Sequence, residues 1–206
     1  MPKYYAVVNG RIPGIYTDWE TTKQQVSGSP CAIYKSFPTK VEAEQFINTS
    51  TTNTTCENAI IVYTDGSYGN NVSGFGVVII LNDGTKMQAY GRVPLPPTNN
   101  VAELYAIYVA LSLLRDQHVA IHTDSHYAAS AFTAYIHDWI KHDWQGVPNK
   151  ELLQTIYNLM QGRNVVFKHV RAHVGIPLNE EADQLADYGR QVSENLIVIQ
   201  NGVRTI

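Results

Sequence analysis

Apolar residues recur along the second part of the chain in short runs separated by turn residues and helical patterns. Five of these runs predict β-strands, at residues 60–64, 75–81, 85–91, 119–125 and 165–170. The Asn82-Asp83-Gly84 turn joins the second run to the third and indicates an antiparallel hairpin. Helical patterns over about 99–114 and 179–190 alternate with the later strands. We therefore predict an α/β fold with a mixed five-stranded sheet flanked by helices.

The first part of the chain has its own pattern of two short strands, a helix, a third strand and a second helix. This order predicts a small β-β-α-β-α domain over residues 1–47. Residues 48–58, NTSTTNTTCEN, lack an apolar period and predict a flexible linker. The larger domain is predicted over 59–191. The tail over 192–206 is consistent with an added strand, an oligomer contact or a disordered segment.

The composition excludes several functional classes. The formal net charge is −3, so any binding of a polyanion must come from local groups rather than from a diffuse positive field. No stretch approaches the roughly 18 consecutive apolar residues that a membrane span requires. The N-terminal residues MPKYYAVVNG lack the apolar segment of a signal peptide, and two cysteines are too few for a disulfide framework. We therefore expect an intracellular protein, cytoplasmic or nuclear, that is not secreted.

Four carboxylates lie near the ends of predicted elements. Asp65 follows the apolar run IIVYT and is followed at once by glycine, so a simple turn at the end of a strand is the alternative interpretation. Asp124 ends the fourth strand in the same way. Glu103 lies in the first turn of one helix, and Asp183 lies near the start of another. Because ligands of open α/β sheets gather beyond strand ends, these four side chains are candidates to converge.

Four converging carboxylates without an obvious lysine or arginine partner would require cations. Oxygen ligands without cysteine or an obligatory histidine favour Mg²⁺ or Mn²⁺ over zinc. Two such ions would activate a water and stabilise the leaving oxygen of a phosphodiester. The pattern therefore indicates metal-dependent hydrolysis of a phosphodiester.

The segments around these carboxylates, YTDGS, TNNVAEL, HTDS and HVGIPLNEEAD, resemble the type 1 ribonuclease H domain in order and approximate spacing. The segments YYAVVNGRIPGIYTDWE and AIYKSFPTKVEAEQFI resemble the hybrid-binding domain that precedes it in many eukaryotic and some bacterial members. Together they imply an endoribonuclease that cuts the RNA strand of an RNA–DNA hybrid and leaves 5′-phosphate and 3′-hydroxyl ends. The implied cofactor is Mg²⁺, two ions per site, with Mn²⁺ as a substitute. The hybrid is the expected partner, with no obligate protein partner and no membrane.

The resemblance also implies roles for single residues. Asp65 would bridge the two ions, Asp124 would complete the nucleophile side, and Glu103 and Asp183 would serve the leaving-group side. His173, in the loop RAHVGIP, matches the family's catalytic-loop histidine and would take part in proton transfer or product release, because an imidazole titrates near neutral pH. The other six histidines are interpreted as surface or packing residues.

Four residues of the larger domain match nucleic-acid contacts of the family. Thr98 and Asn149 match a DNA-phosphate pocket, in which Pro96 replaces the arginine that often completes it. Asn99 and Asn100 would contact the hybrid, for example at an RNA 2′-hydroxyl, which distinguishes RNA from DNA. The alternative is that these two asparagines simply cap the helix that contains Glu103.

Four residues of the small domain match nucleic-acid contacts as well. Tyr5, Trp19 and Tyr34 are aromatic residues that would lie against sugars and bases, and Lys35 would contact the backbone. Ser36 replaces a lysine that is common in the family, which lowers the charge of this domain. Core packing is the alternative for the aromatic residues.

Two other functions fit the same motifs. The first is a hybrid-binding protein with an inactive site, which the presence of all four carboxylates disfavours. The second is a ribonuclease H domain released from a retroelement polyprotein, which the N-terminal methionine and the hybrid-binding segment disfavour.

Overall fold

The computed structural model describes residues 3–9, 12–26, 33–51, 59–114, 118–172 and 175–205. The chain divides into two compact units, Met1–Glu57 and Asn58–Ile206. This division falls within the segment that the sequence predicts as a linker. Residues 48–51 of that segment are helical, in contrast to the predicted flexible linker, and residues 52–58 lie outside the described residues.

The smaller unit has the predicted β-β-α-β-α order. Its elements are β1 (Tyr4–Asn9), β2 (Gly14–Tyr16), α1 (Trp19–Val26), β3 (Ile33–Phe37) and α2 (Lys40–Thr51). Strand β1 is central and pairs antiparallel with β2 and β3. Helix α1 begins after Asp18, whose carboxylate accepts a hydrogen bond of 2.7 Å from the backbone N–H of Thr21, as in an N-cap. Ala6, Val7 and Ala43 are fully buried and form the small core.

The larger unit contains one mixed sheet. Its strands are β4 (Ile60–Gly69), β5 (Val72–Ile80), β6 (Lys86–Arg92), β7 (Val119–Thr123), β8 (Val165–His169), β9 (Ile197–Gln200) and β10 (Val203–Arg204). Their spatial order is β10-β9-β6-β5-β4-β7-β8. The pairs β4–β7 and β7–β8 are parallel and the others are antiparallel. The α/β fold and the five predicted strands are therefore confirmed.

The C-terminal tail corrects the predicted strand number from five to seven. Strand β9 pairs with the free edge of β6, with Val198 opposite Ala89, and β10 pairs with β9. Of the three alternatives for the tail, the added strand is the one that the structure contains. Val198 is buried, so the tail extends the core of this unit as well as its sheet.

Strand β4 also differs from the prediction, because it continues past Asp65 to Gly69. Asp65 lies opposite Gly76 of β5, and the pairing continues to Gly69 opposite Val72. The turn comes instead at Asn70 and Asn71, which both have positive φ, as the two central residues of a tight hairpin turn require. The alternative that Asp65 and Gly66 form a turn at the end of the strand is therefore wrong.

Helices cover both faces of the sheet. They are α3 (Asn99–Leu113), α4 (His126–Ser130), α5 (Ile136–Lys141), α6 (Lys150–Met160) and α7 (Pro177–Gly189), with a π-helical turn (Ala131–Tyr135) between α4 and α5. Helix α3 packs on β4 and β5, and α7 packs on β4, β5 and β6. The core centres on fully buried Phe75, Leu104, Ile107 and Ile121. No helix among the described residues is both long enough and apolar enough to cross a membrane.

Candidate active site

Three carboxylates from three elements meet at one point of the larger unit. Strands β4 and β7 run parallel with Thr64 opposite Thr123, so the next residues, Asp65 and Asp124, emerge side by side. Glu103 of α3 joins them, and the ligand oxygens of all three residues lie within 4.8 Å of one another. The structure therefore brings together three of the four predicted catalytic carboxylates in one cluster, which we name the carboxylate cluster.

Gly66 lets α3 approach β4 closely enough for Glu103 to join the cluster. A Cβ atom at position 66 would lie 2.5 Å from the carbonyl carbon of Ala102 and even closer to the backbone nitrogen of Glu103. The backbone N–H of Gly66 also donates a hydrogen bond to the Glu103 carboxylate. The glycine after Asp65 is thus required by the contact with the helix rather than by a turn.

Asp183 approaches the cluster from α7, which lies on the face of the sheet opposite to α3. It lies in the middle of α7 rather than near the start, because this helix begins at Pro177. Helix α7 lies close to the sheet at Gly76, where a Cβ atom would come 2.5 Å from the backbone nitrogen of Ala186. Asp183 and Asp65 share a side-chain hydrogen bond. Asp183 therefore contacts Asp65 while standing outside the three-residue cluster.

The cluster has an electrostatic environment that disfavours its own negative charge. The pKa of Asp65 is raised to about 8, mainly by burial of its carboxyl group and to a smaller extent by the nearby carboxylates of Asp124 and Asp183. The pKa of Glu103 is raised well above its ordinary value, mainly by burial and to a smaller extent by the carboxylates of Asp65 and Asp124. Carboxyl groups this close cannot all be ionised without a compensating positive charge.

The residues of the cluster fit a hard divalent cation. Every ligand atom is a carboxylate oxygen, which is the type of ligand that Mg²⁺ and Mn²⁺ prefer. Glu103 is 5% exposed, and its buried Oε2 atom has no hydrogen-bond partner in the part of the chain that the structure describes. An unpaired buried carboxylate oxygen is costly, and a cation would satisfy it.

Two residues beside Asp124 are functional candidates that the sequence pattern does not single out. The side-chain Nδ2 of Asn179 lies 3.0 Å from Oδ2 of Asp124, and Nε2 of His169 lies 3.1 Å from the backbone oxygen of Asp124. Asn179 belongs to the segment HVGIPLNEEAD, so a signal was present in the sequence. His169 is one of the six histidines for which the sequence predicts a surface or packing position, and it is exposed.

His173 lies outside the described residues, so its predicted catalytic role stays a prediction. The loop that follows it is attached to α7, because the backbone N–H of Gly175 donates a hydrogen bond of 3.1 Å to Oε1 of Glu180. Gly175 has a φ of 80°, in the left-handed region that favours glycine.

The four predicted nucleic-acid contacts of this unit lie at helix N-termini. Thr98 caps α3, since its hydroxyl accepts a hydrogen bond of 3.1 Å from the backbone N–H of Val101. The alternative that Asn99 or Asn100 is the cap is therefore wrong, and both are exposed in the first turn of α3. Asn149 precedes α6 with a φ of 58°, and its amide donates a hydrogen bond to the hydroxyl of Tyr127.

The small unit presents a row of three aromatic rings, formed by Tyr5, Trp19 and Tyr34, which we name the aromatic row. The ring centroids of Trp19 lie 5.7 Å from those of both Tyr5 and Tyr34. Trp19 is 41% exposed and Tyr34 is 44% exposed, so these two are not core residues. Lys35 is not brought to this row: it follows Tyr34 in β3 and so points to the opposite face, where its Nζ atom lies 5.6 Å from the Phe37 ring.

Comparisons with known proteins agree with this arrangement. The family model for RNase H matches residues 57–191, and the model for the ribonuclease H1 N-terminal domain matches residues 3–47. The ribonuclease H of Rickettsia akari is 34% identical over 142 residues, which are 65% of this chain and 92% of that protein. The ribonuclease H1 of Mus musculus is 26% identical in a gapped alignment of 258 positions, which covers 93% of this chain and 90% of that protein.

A solved structure has the same fold. The crystal structure of LC9-RNase H1, a type 1 RNase H with the type 2 active-site motif, superposes with a TM-score of 0.59 and 25% sequence identity. The match covers 72% of this chain and 77% of that one. The sequence matches, the shared fold and the carboxylate cluster all lead to one conclusion: the chain belongs to the ribonuclease H family, whose members hydrolyse the RNA of RNA–DNA hybrids.

Proposed function

We propose that this protein is an endoribonuclease that hydrolyses the RNA strand of an RNA–DNA hybrid with two divalent cations and leaves 5′-phosphate and 3′-hydroxyl ends. The observation that carries the proposal is the convergence of Asp65, Glu103 and Asp124 within 4.8 Å. These residues belong to the segment matched by the RNase H family model. The cytoplasmic or nuclear location expected from the sequence goes with this proposal.

The four carboxylates are proposed to hold two Mg²⁺ ions, with Mn²⁺ as a substitute. When bound, such ions lower the pKa of a coordinated water and stabilise charge on the leaving oxygen. Asp65 is suited to bridge both positions, because its carboxylate interacts with those of Asp124, Asp183 and Glu103. Asp124 is assigned to the nucleophile side, and Glu103 and Asp183 are assigned to the leaving-group side.

The residues around the cluster are proposed to orient the hybrid. Asn99 and Asn100 are exposed at the start of the helix that carries Glu103, so a strand bound there would lie close to the cluster. Thr98 and Asn149 are proposed to contact a phosphate of the DNA strand. His173 is proposed to transfer a proton or to assist product release.

We propose that residues 1–47 bind the hybrid and that residues 59–191 cut it. The linker between them begins after α2 ends at Thr51, and residues 192–206 add β9 and β10 to the sheet. The aromatic row supports this division, since exposed rings can lie against sugars and bases. A tethered second binding site raises the local concentration of a long substrate at the catalytic unit. No obligate protein partner is proposed.

The proposed role of the aromatic row in hybrid binding can be tested by replacing Trp19 with alanine. This change should weaken hybrid binding by about 1–3 kcal/mol, the usual loss for a ring that stacks on a nucleic acid. Lys35 lies on the opposite face of β3 from the row, so Lys35→Ala should cost less. Loss of the phosphate contact proposed for Lys35 should make the salt dependence shallower. Titrations of a fluorescent hybrid at several salt concentrations would measure both effects.

The matched control for this test is Val41→Ala. Val41 is an apolar residue of α2 that is 61% exposed and lies outside the aromatic row, so hybrid affinity should not change. Equal losses for Trp19→Ala and Val41→Ala would contradict the role of the row. Loss of the folded small unit in Trp19→Ala would instead assign Trp19 to the core.

The enzymatic function can be tested with four labelled duplexes of one sequence: RNA–DNA with the label on either strand, RNA–RNA and DNA–DNA. The proposal predicts cutting of the RNA strand of the hybrid in Mg²⁺ or Mn²⁺ and no cutting in EDTA. The DNA strand and the two homoduplexes should stay intact. Binding of the hybrid without cleavage in either metal would favour the alternative of a hybrid-binding protein with an inactive site.

A further inference from the structure

Asn179 is a buried polar residue whose environment is not explained by helix formation. It lies in the first turn of α7 and is 3% exposed. Its Nδ2 atom donates a hydrogen bond of 3.0 Å to Oδ2 of Asp124. The backbone N–H of Asn179 already donates to the carbonyl oxygen of Ile176, so the side chain is not needed to satisfy that N–H.

The other end of the same amide has no partner among the described residues. The Oδ1 atom of Asn179 is buried and accepts no hydrogen bond from any residue that the structure describes. Rotating the amide by half a turn would not relieve this, because Oδ1 would then face the carboxylate oxygen of Asp124. An unpaired buried acceptor destabilises the folded protein, because the desolvated oxygen has lost its hydrogen bonds to water. A group retained at this cost, directly beside a catalytic carboxylate, calls for a donor that enters the site during function.

Asp124 lacks the strand pairing that holds Asp65, so a hydrogen bond from another element can fix its orientation. It follows Thr123, the last residue of β7, and so lies beyond the strand pairing that holds Asp65 within β4. Asn179 and Asp183 are four residues apart on α7, so they lie on the same side of the helix. One contacts Asp124 and the other contacts Asp65. Two successive turns of α7 thus each supply one side chain, Asn179 to Asp124 and Asp183 to Asp65.

We infer that Asn179 is a positioning residue that fixes the carboxylate of Asp124 through its Nδ2–H group and offers Oδ1 as an acceptor to a water held in the occupied site. This inference rests on the proposed function, since it assumes that Asp124 is a ligand of a divalent cation. Residues that hydrogen-bond to a metal ligand without touching the metal typically contribute about 10–100-fold to metal affinity. Asn179 acts through Asp124 and does not itself touch the cation.

The test is a titration of the full chain with Mn²⁺ alone, without nucleic acid, followed by water-proton relaxation. Asn179→Ala should weaken Mn²⁺ binding about 10–100-fold. Asn179→Leu keeps the buried volume and removes both polar atoms, so it should fold at least as well and show the same loss. The matched control is Asn158→Ala, an exposed asparagine of α6 far along the chain from the cluster, which should keep the wild-type affinity.

A double-mutant cycle separates positioning from a general structural effect. In an Asp124→Asn background, Asn179→Ala should change the remaining Mn²⁺ affinity less than about 3-fold, because the residue through which Asn179 acts is already altered. An undiminished effect in that background would overturn the inference, and so would wild-type affinity in both Asn179 variants. If the wild-type chain bound no Mn²⁺, the metal-dependent function would itself fail, and that outcome is distinguishable from the other two.

Discussion

Replacing Asp65 with asparagine is expected to reduce cleavage of an RNA–DNA hybrid by more than about 100-fold and to leave hybrid binding largely intact. Loss of a residue that only orients a metal ligand typically lowers metal affinity or activity about 10–100-fold. Asp65 is itself a proposed ligand, and its carboxylate interacts with those of Asp124, Asp183 and Glu103. The amide keeps the shape of the side chain and removes its charge. Cleavage rates in Mg²⁺ and hybrid affinity in EDTA would measure the two effects separately.

The same substitution should stabilise the metal-free protein at neutral and alkaline pH. The pKa of Asp65 is raised from 3.8 to about 8 in the folded state, so the folded protein holds this proton more tightly than the unfolded chain. The corresponding stability is complete below about pH 4 and is lost as the pH rises through about 8. Asparagine does not ionise, so Asp65→Asn avoids this loss of folding stability, which is on the order of a few kcal/mol.

Thermal melts in EDTA from pH 5 to pH 9 would measure this effect. Asp65→Asn should melt several degrees above the wild type at pH 9, since about 1 kcal/mol shifts the midpoint by roughly 2–4 °C in a chain of this size. The difference should shrink towards pH 5. Asp143→Asn makes the same charge change at an exposed residue and should melt like the wild type. Equal melting of all three proteins at every pH, or wild-type cleavage by folded Asp65→Asn, would contradict the assignment.

Replacing Gly66 with alanine is expected to cost about 1–3 kcal/mol of stability and to abolish most of the cleavage. The added Cβ atom would lie 2.5 Å from the backbone of Ala102, so α3 would have to move away from β4. Glu103 moves with α3, and the cluster opens. Urea unfolding and hybrid cleavage would report the two effects.

Gly69→Ala is the matched control on the same strand. The Cβ atom there would meet Nη1 of Arg190, the end of a flexible side chain, instead of backbone. This variant should lose less than about 1 kcal/mol, the cost of a surface change without a named defect, and should keep its activity. If both glycine variants behaved alike, the close approach of Gly66 to α3 would not be what positions Glu103.

The strand pattern and the identity of the carboxylates were predictable from the sequence because both are local signals. Apolar runs marked five strands at nearly their observed positions, and Asp65 and Asp124 were expected together because each follows such a run. Parallel pairing of β4 with β7 then brings them side by side. The position of Asp65 inside its strand was not predictable, because an Asp-Gly pair is typical of turns and only the pairing with β5 shows otherwise.

The tail and the support from α7 depend on contacts between residues distant in sequence. Strand β9 is a short apolar run that becomes a strand only because β6 offers a free edge. Asn179 stands within a recognised segment, yet its contact with Asp124 joins residues 55 positions apart. The exposure of Trp19 likewise could not be derived from the sequence, since an aromatic residue in a small domain fits a core position equally well.

In the proposed reaction, water held at the carboxylate cluster attacks a phosphodiester of the RNA strand. The most direct test is the chemistry of the new ends after the full chain cuts a hybrid in Mg²⁺. We expect 5′-phosphate ends, removable by a phosphatase, and 3′-hydroxyl ends that a polymerase can extend. A 2′,3′-cyclic phosphate would show that the RNA's own 2′-hydroxyl was the nucleophile, and it would exclude attack by water.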